Sequence, residues 1–327
     1  MAYIFPKSLK FGDTIAVISP SSPVTLNSAA VNKGLEYLRD KGFKVVDYTQ
    51  KKGGFSQRSI KEKASIVNKL FANKSIAAIM AFWGGLTSNQ VLDYLDFSII
   101  KKNPKIVIGY SDITALTSAI TAKTGLITFS GPGLISFIKP EPFDYTWEYF
   151  EKVCMIGKPF VVSPSKTFAD DQYFLRKDSN HRIIQKNVGW KVFSSGKANG
   201  RIVAGNLQTL LVLTKTPYQP NYKNSILFIE EDEEIRPEHF LRFLTQLKQT
   251  KSLERLKSLV IGRFCKQTNI NFNILTKILK SINFPKEVPI LYNVDFGHSD
   301  PMITIPNGGY CEIDTFRKYI KFEKAVL

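Results

Sequence analysis

Strand and helix signals alternate from Thr14 to Phe129, and this alternation restricts the fold more than any other feature of the chain. Thr14 to Ser19 reads as a buried strand closed by the turn-rich Pro20-Ser-Ser-Pro23. Asn27 to Lys41 reads as an amphipathic helix ended by Gly42. Phe43 to Tyr48 is a second strand. Ser59 to Asn73 is a second helix, with Ile60, Ala64, Val67 and Phe71 on one face. Ile76 to Phe82 forms a third strand that runs into Trp83-Gly84-Gly85, and Ser88 to Leu95 a short helix. The run Ile106 to Ile108 stops at Gly109. Ser111 and Asp112 follow, then a helix to Lys123, a strand from Leu126 to Phe129 and the turn Ser130-Gly-Pro-Gly133. Such a rhythm predicts a doubly wound parallel sheet with helices on both faces. Ligands of these sheets bind beyond the carboxyl ends of the strands. The Gly84-Gly85 and Ser111 turns both fall at that edge.

The pattern changes between Pro159 and Val188. Ser163-Pro-Ser-Lys166, Asp170-Asp171 and Lys177-Asp-Ser-Asn180 are polar and turn-rich, as in a connecting segment. Beyond it, Ala198 to Ala204, Ser225 to Ile229 and Leu259 to Cys265 read as strands, and Glu238 to Gln249 and Asn271 to Ile282 as helices. Met302 to Ile305 and Gly309 to Phe322 read as closing strands. A chain of 327 residues can hold two cores. The expectation is an amino-terminal α/β domain over residues 1–160, a linker over 161–195 and a smaller mixed α+β carboxy-terminal domain over 196–327.

Composition narrows the function classes. Neither a signal-peptide pattern nor an apolar run of about 18 residues occurs, so a cytoplasmic protein without a membrane partner is expected. Cys154, Cys265 and Cys311 are scattered and form no CxxC, which argues against a disulfide framework or a structural zinc. The formal charge of +17 would suit an anionic partner. The lysines are spread along the chain, however, and no nucleic-acid motif accompanies them. A solvated basic surface, or attraction of a small anionic substrate, is the expected meaning, with no nucleic-acid partner.

Three residues carry possible chemistry. Ser111 sits at the apex of a strand–turn–helix, where a hydroxyl is exposed beside helix-initiating N–H groups able to receive an oxyanion. Ile113 stands where the hydrolase G-x-S-x-G motif has its second glycine, so Ser111 reads equally as a helix cap. Glu230 ends the apolar strand Ile226-Leu-Phe-Ile229 and opens an acidic run to Glu234. It could belong to a solvated loop, a hard-cation site or a triad. His298, in Asp295-Phe-Gly-His-Ser-Asp-Pro-Met302, lies in a loop able to hold an imidazole rigidly, as base or as structural residue. His181 falls in the polar linker and His239 on a charged helix face. The order Ser, Glu, His matches that of α/β-hydrolases.

Several blocks together resemble the LD-carboxypeptidase family of serine peptidases: Gly84-Gly85, Gly109-Tyr-Ser-Asp112, Phe129-Ser-Gly-Pro132, Gly205-Asn-Leu207, Ile226-Leu-Phe-Ile-Glu-Glu231 and Phe296-Gly-His298. The likeness runs from Gly12-Asp-Thr14 to the last strands. The stretch Trp83 to Asn89 with Lys105 to Asp112 is similar to the branch containing the microcin C self-immunity protein. The resemblance implies an amino-terminal domain like class I glutamine amidotransferases, a smaller second domain and an active site between them. It implies Ser111 as nucleophile, His298 as general base and then acid, and Glu230 as the group that orients His298. Backbone N–H groups of Gly85 and Asp112 would form the oxyanion hole. It further implies a homodimer that needs no metal or cofactor. The substrate would be a muropeptide cut at an L–D amide, another small peptide, or an aminoacyl-nucleotide cut at its amide. Asn89, Asn206 and Arg236 are candidate readers of the substrate carboxylate, and Trp190 is a candidate to stack on a nucleotide base or, alternatively, a core residue. The alternative function is an inactive relative that binds peptides or nucleotides.

Overall fold

The computed structural model describes residues 2–140, 143–171, 181–285 and 287–327. The expected turn Lys177-Asp-Ser-Asn180 lies outside the described residues. Five parallel strands build the first sheet: β1 (Thr14–Ile18), β2 (Lys44–Tyr48), β3 (Ile76–Ala81), β4 (Ile106–Gly109) and β5 (Thr128–Ser130). Their order in space is β5-β4-β3-β1-β2. The helices between them are α1 (Ser28–Asp40), α2 (Gln57–Ala72), α3 (Ser88–Val91), α4 (Phe97–Lys102) and α5 (Ile113–Thr124). The boundaries follow local chemistry. Asn27 caps α1 through the Ala30 N–H, Ser56 caps α2 through the Ser59 N–H, and Gly125 ends α5 with a φ of 78°. Both faces of the sheet are covered. One packs on α1 through Val31, Leu35 and Leu38, the other on α2 and α5 through Val67, Phe71, Leu116 and Ile120.

The chain then passes through α6 (Asp144–Glu151), β6 (Phe160–Val162) and the ribbon β7 (Thr167–Phe168) with β8 (Gln185–Lys186). The second sheet has β9 (Lys191–Ser194), β10 (Lys197–Asn206), β11 (Ser225–Glu230), β12 (Ser258–Gly262) and β13 (Ile290–Val294). After β14 (Ile305–Asn307), β15 (Tyr310–Asp314) and β16 (Tyr319–Phe322) complete it in the order β6-β16-β15-β10-β11-β12-β13-β9. The central strands β10 to β13 are parallel and the outer pairings antiparallel. Helices α7 (Leu207–Val212), α8 (Pro237–Gln249) and α9 (Phe272–Ser281) cover one face through Leu210, Phe240, Leu244 and Leu275. No helix among the described residues is long and apolar enough to cross a membrane.

The two halves are less separable than consecutive segments would be. Strand β14 returns to the first sheet and pairs antiparallel with β5. The segment expected to be a linker lends β9, and most of β6, to the second sheet. It is also held by a buried charge. Asp295 accepts from Ser165 Oγ at 2.5 Å and Trp190 Nε1 at 2.8 Å, and pairs with Arg263. Helices α4, α6 and α7 and strands β6 to β9 and β13 were not foreseen, each being short or lacking clear periodicity.

The sheets meet where β10 ends. A Cβ built on Gly205 would lie 2.2 Å from Thr114 Cγ2 in the first turn of α5. The Asn206 N–H donates to Thr114 Oγ1 at 2.9 Å. Only a glycine permits that approach. Gly205→Ala is expected to destabilise the protein by about 1–3 kcal/mol through overpacking, read from denaturant unfolding. An unchanged midpoint would show that the contact yields freely.

Candidate active site

Ser111 stands just past the end of β4 with a φ of 61°, a left-handed conformation that residues other than glycine rarely adopt. Its neighbours leave room for this turn. A Cβ on Gly109 would lie 2.8 Å from Ile113 Cγ2, and one on Gly84 only 2.7 Å from Ser111 Cβ and 3.0 Å from the Asp112 nitrogen. The glycine loop after β3 and the N–H of Asp112 therefore border one small space beside the hydroxyl. Ser111 does not cap the helix with its side chain. Asp112 occupies the cap position, and the Ser111 carbonyl accepts from the Thr114 N–H at 2.9 Å.

Glu230 is the last residue of β11 and lies opposite Asn206 of β10 in the parallel register. Two glycines enclose it. A Cβ on Gly262 would come within 3.0 Å of Glu230 Cβ, and one on Gly297 within 3.0 Å of Oε2. The carboxylate thus reaches His298, whose Nδ1 lies 2.6 Å from Glu230 Oε2. Glu230 is 2 % exposed, and its Oε1 has no hydrogen-bond partner among the described residues. The imidazole packs edge-on against Tyr110, ring centroids 5.1 Å apart, so it sits beside the residue that precedes Ser111. No hydrogen bond joins Ser111 Oγ to the imidazole among the described residues. Such contacts are often open in unliganded sites and tighten with substrate.

Charge tunes this pair. Burial disfavours the imidazolium most, but the charge and hydrogen bond of Glu230, with help from Asp232 and Glu233, outweigh it and raise the His298 pKa to about 9. Burial and the neighbouring Glu230 raise Glu231 to about 8, against the Gln208 N–H at 2.8 Å and the Asn206 amide at 3.1 Å.

His298 opens into a cavity of about 780 Å³ between the two halves. Leu26, Trp83, Tyr110 and Ile138 give it an apolar wall, and Lys33, Lys139, Arg182, Glu233 and Asp300 a charged one. Lys139 pairs with Asp300 at 2.5 Å, and Arg182 with Asp171 at 2.7 Å and Asp300 at 3.0 Å. Lys33 donates to the Lys139 carbonyl at 3.3 Å. The sequence reading missed Lys33, Lys139 and Arg182, because isolated cations on a basic chain carry no spacing signal.

The other expected ligand readers do not gather here. Trp190 is corrected outright as a stacking residue. It is fully buried among Phe228, Leu291 and Phe296, with its indole N–H committed to Asp295, so it has no face to offer a base. Asn206 is buried as the cap of α7, its Oδ1 accepting from the Thr209 N–H at 3.0 Å and its amide donating to Glu231. Arg236 is exposed and folds onto the carbonyls of Glu233, Glu234 and Ile235. Asn89, on α3, is half-buried and does not line the cavity.

Comparison with known proteins agrees with this architecture. Residues 15–131 match the model of the LD-carboxypeptidase N-terminal domain, and residues 199–313 that of the LD-carboxypeptidase C-terminal domain. The chain is 35% identical to "Putative carboxypeptidase YocD" of Bacillus subtilis, over 95% of this chain and 96% of that protein. It is 33% identical to the microcin C7 self-immunity protein MccF of Escherichia coli, over 98% and 95%. A crystal structure of an MccF-like protein from Bacillus anthracis superimposes with a TM-score of 0.93 at 35% identity, covering 98% of this chain and 99% of that one. A structure of MccF in complex with glutamyl sulfamoyl guanosine gives 0.88 at 33% identity, covering 99% of each. The chain therefore belongs to the LD-carboxypeptidase family.

Proposed function

We propose that the protein is a serine carboxypeptidase that hydrolyses an amide bond with Ser111, His298 and Glu230. The observation that carries this reading is the Glu230–His298 contact of 2.6 Å, held against Tyr110 at the nucleophile turn. A serine hydroxyl is a weak nucleophile until a base takes its proton. His298 would accept that proton through Nε2 as Ser111 Oγ bonds to the acyl carbon. The tetrahedral oxyanion would face the N–H groups of Gly85 and Asp112, each worth about 3 kcal/mol of transition-state stabilisation. His298 would then protonate the leaving amine, and a water molecule would repeat the sequence to free Ser111. Glu230 fixes the imidazole through Nδ1 and stabilises its charged form.

Two substrate classes remain within this reading. The family description, with a Bacillus subtilis relative named a probable murein peptide carboxypeptidase, points to an L–D amide of a muropeptide. The MccF complex, with an aminoacyl group on a sulfamoyl nucleoside, points to an aminoacyl-nucleotide amide. The cavity volume suits either, and Trp83 and Tyr110 give it aromatic surface for a base or a peptide. Purified protein offered an L,D-tetrapeptide muropeptide and, separately, an amide-linked aminoacyl-nucleotide separates the two by which amine is released. Ser111→Ala is expected to lose turnover of either substrate while keeping its fold. Turnover equal to wild type would overturn the mechanism.

The pH dependence has a definite sign. Only neutral His298 can act as base, so kcat/KM should rise with pH toward a plateau above about 9. Glu230→Gln should move that rise down, toward or below the ordinary histidine value, and lower the plateau. The same pairing contributes stability that is fully present below about pH 6.5 and is lost as pH rises through about 9. A kcat/KM profile already flat from pH 6, or unmoved by Glu230→Gln, would contradict the pairing.

A further inference from the structure

Behind the glycine loop lies a buried charge that the triad does not use. Lys63, on the inner face of α2, is 2 % exposed. A lysine so buried keeps its charge only if its three N–H donors find acceptors. Its Nζ donates to the Ser21 carbonyl oxygen, to Thr87 Oγ1 at 3.2 Å and to the Gly54 carbonyl oxygen at 3.4 Å. Burial lowers its pKa from the usual lysine value, and the charge of Asp112 opposes that shift.

Asp112 closes the same network from the other side. Its Oδ2 accepts from Ser21 Oγ at 2.5 Å, from the Ser88 N–H at 2.8 Å and from Ser88 Oγ. Ser21 is thus gripped twice, its carbonyl by Lys63 and its hydroxyl by Asp112. Thr87 reinforces the grip, its N–H donating to Ser21 Oγ at 3.2 Å and its hydroxyl to the Ser21 carbonyl at 3.1 Å. Gly84 and Gly85 rest on this platform. The Ser22 N–H donates to the Gly84 carbonyl at 3.3 Å, and a Cβ on Gly85 would fall 2.1 Å from Ser22 Oγ and 2.4 Å from Ser21 Oγ. The loops after β1, β3 and β4 are therefore joined through one ammonium group and one carboxylate.

We infer that Lys63 is a positioning residue for the oxyanion hole: its ammonium group clamps Ser21 and Thr87 and so fixes the orientation of the Gly85 N–H toward the acyl oxygen at Ser111. This inference rests on the serine-peptidase reading. An apolar side chain could fill the same space, but it has no donor to hold the carbonyl of Ser21 and the hydroxyl of Thr87 together. Loss of the clamp should therefore affect the transition state, where the oxyanion forms, more than ligand binding.

The test uses a fluorophosphonate, which needs no knowledge of the natural substrate. Ser111 Oγ bonds to phosphorus, the P–F bond breaks, fluoride leaves and the hydroxyl proton passes to His298. Intact-protein mass and peptide mapping follow the adduct, while a concentration series separates the maximal rate from the half-saturating concentration. Lys63→Met should label at a maximal rate about 100-fold below wild type, with half-saturation unchanged. Thr87→Val, which keeps Lys63 but removes the hydroxyl it clamps, should lose about 10-fold in the same parameter. A folded Lys63→Met that labels at the wild-type maximal rate overturns the inference, as does a loss confined to half-saturation. If Lys63→Met fails to fold, Thr87→Val decides, and a wild-type rate there overturns it. Wild-type protein that takes no adduct on Ser111 would instead reject the serine-nucleophile reading, and this inference with it.

Discussion

The bond from the Asn206 N–H to Thr114 Oγ1, with Gly205 pressed on the same threonine, is the contact on which the site depends. Thr114 lies in the first turn of α5, three residues beyond Ser111. Asn206 lies opposite Glu230 in the β10–β11 register. One contact between β10 and α5 thus sets the Ser111 turn against the end of the strand that carries Glu230. From there the second sheet completes the placement. Gly262 on β12 and Gly297 after β13 leave space for the Glu230 side chain, and His298 follows at once. Side chains distant in sequence meet because parallel strands of one sheet end together at one edge, and that edge faces the corresponding edge of the other sheet.

The buried charges divide into two kinds. Asp295 is surrounded by donors from Ser165, Asn187, Trp190 and Arg263, and it binds the connecting segment to the second sheet. Asp300 is held by Lys139 and Arg182. Asp112 collects Ser21 and Ser88. Each is well supplied with donors, which is how a buried carboxylate is retained. Glu230 is different. Its Oε2 meets His298 and its Oε1 meets no donor among the described residues. A carboxylate left so sparsely satisfied favours a positive charge on its one partner, as an acid–base pair requires.

The first half of the chain was legible because its code is local. β-Branched runs, caps such as Asn27 and terminators such as Gly125 mark each element, and the strands fell near their expected places. The turn at Ser111 was visible as a strand stopping at Gly109. Whether Ser111 served as cap or apex was not, because that depends on a positive φ that no neighbouring residue type dictates. The nearness of Glu230 to His298 was suggested by family likeness and could not be read from spacing, since it arises from strand register and two glycine-lined gaps at Gly262 and Gly297. Trp190 shows the opposite failure. An aromatic residue after a polar segment suits a ligand platform or a core anchor equally, and only Asp295, more than a hundred residues away, decides for the core. Nor was it legible that β14 returns to the first sheet and that β9 joins the second, since both pairings are set by contacts distant in sequence.

The account stands on Ser111, His298 and Glu230 acting as one unit, and non-additivity measures that directly. The quantity to determine is kcat against a hydrolysable amide substrate for Ser111→Ala, His298→Ala, Glu230→Ala and the triple variant, each corrected for uncatalysed hydrolysis. Members of one proton relay cannot be lost independently, so the triple variant should be no slower than Ser111→Ala alone. Losses that multiply across the three sites would show that these side chains contribute separately, and would contradict the relay.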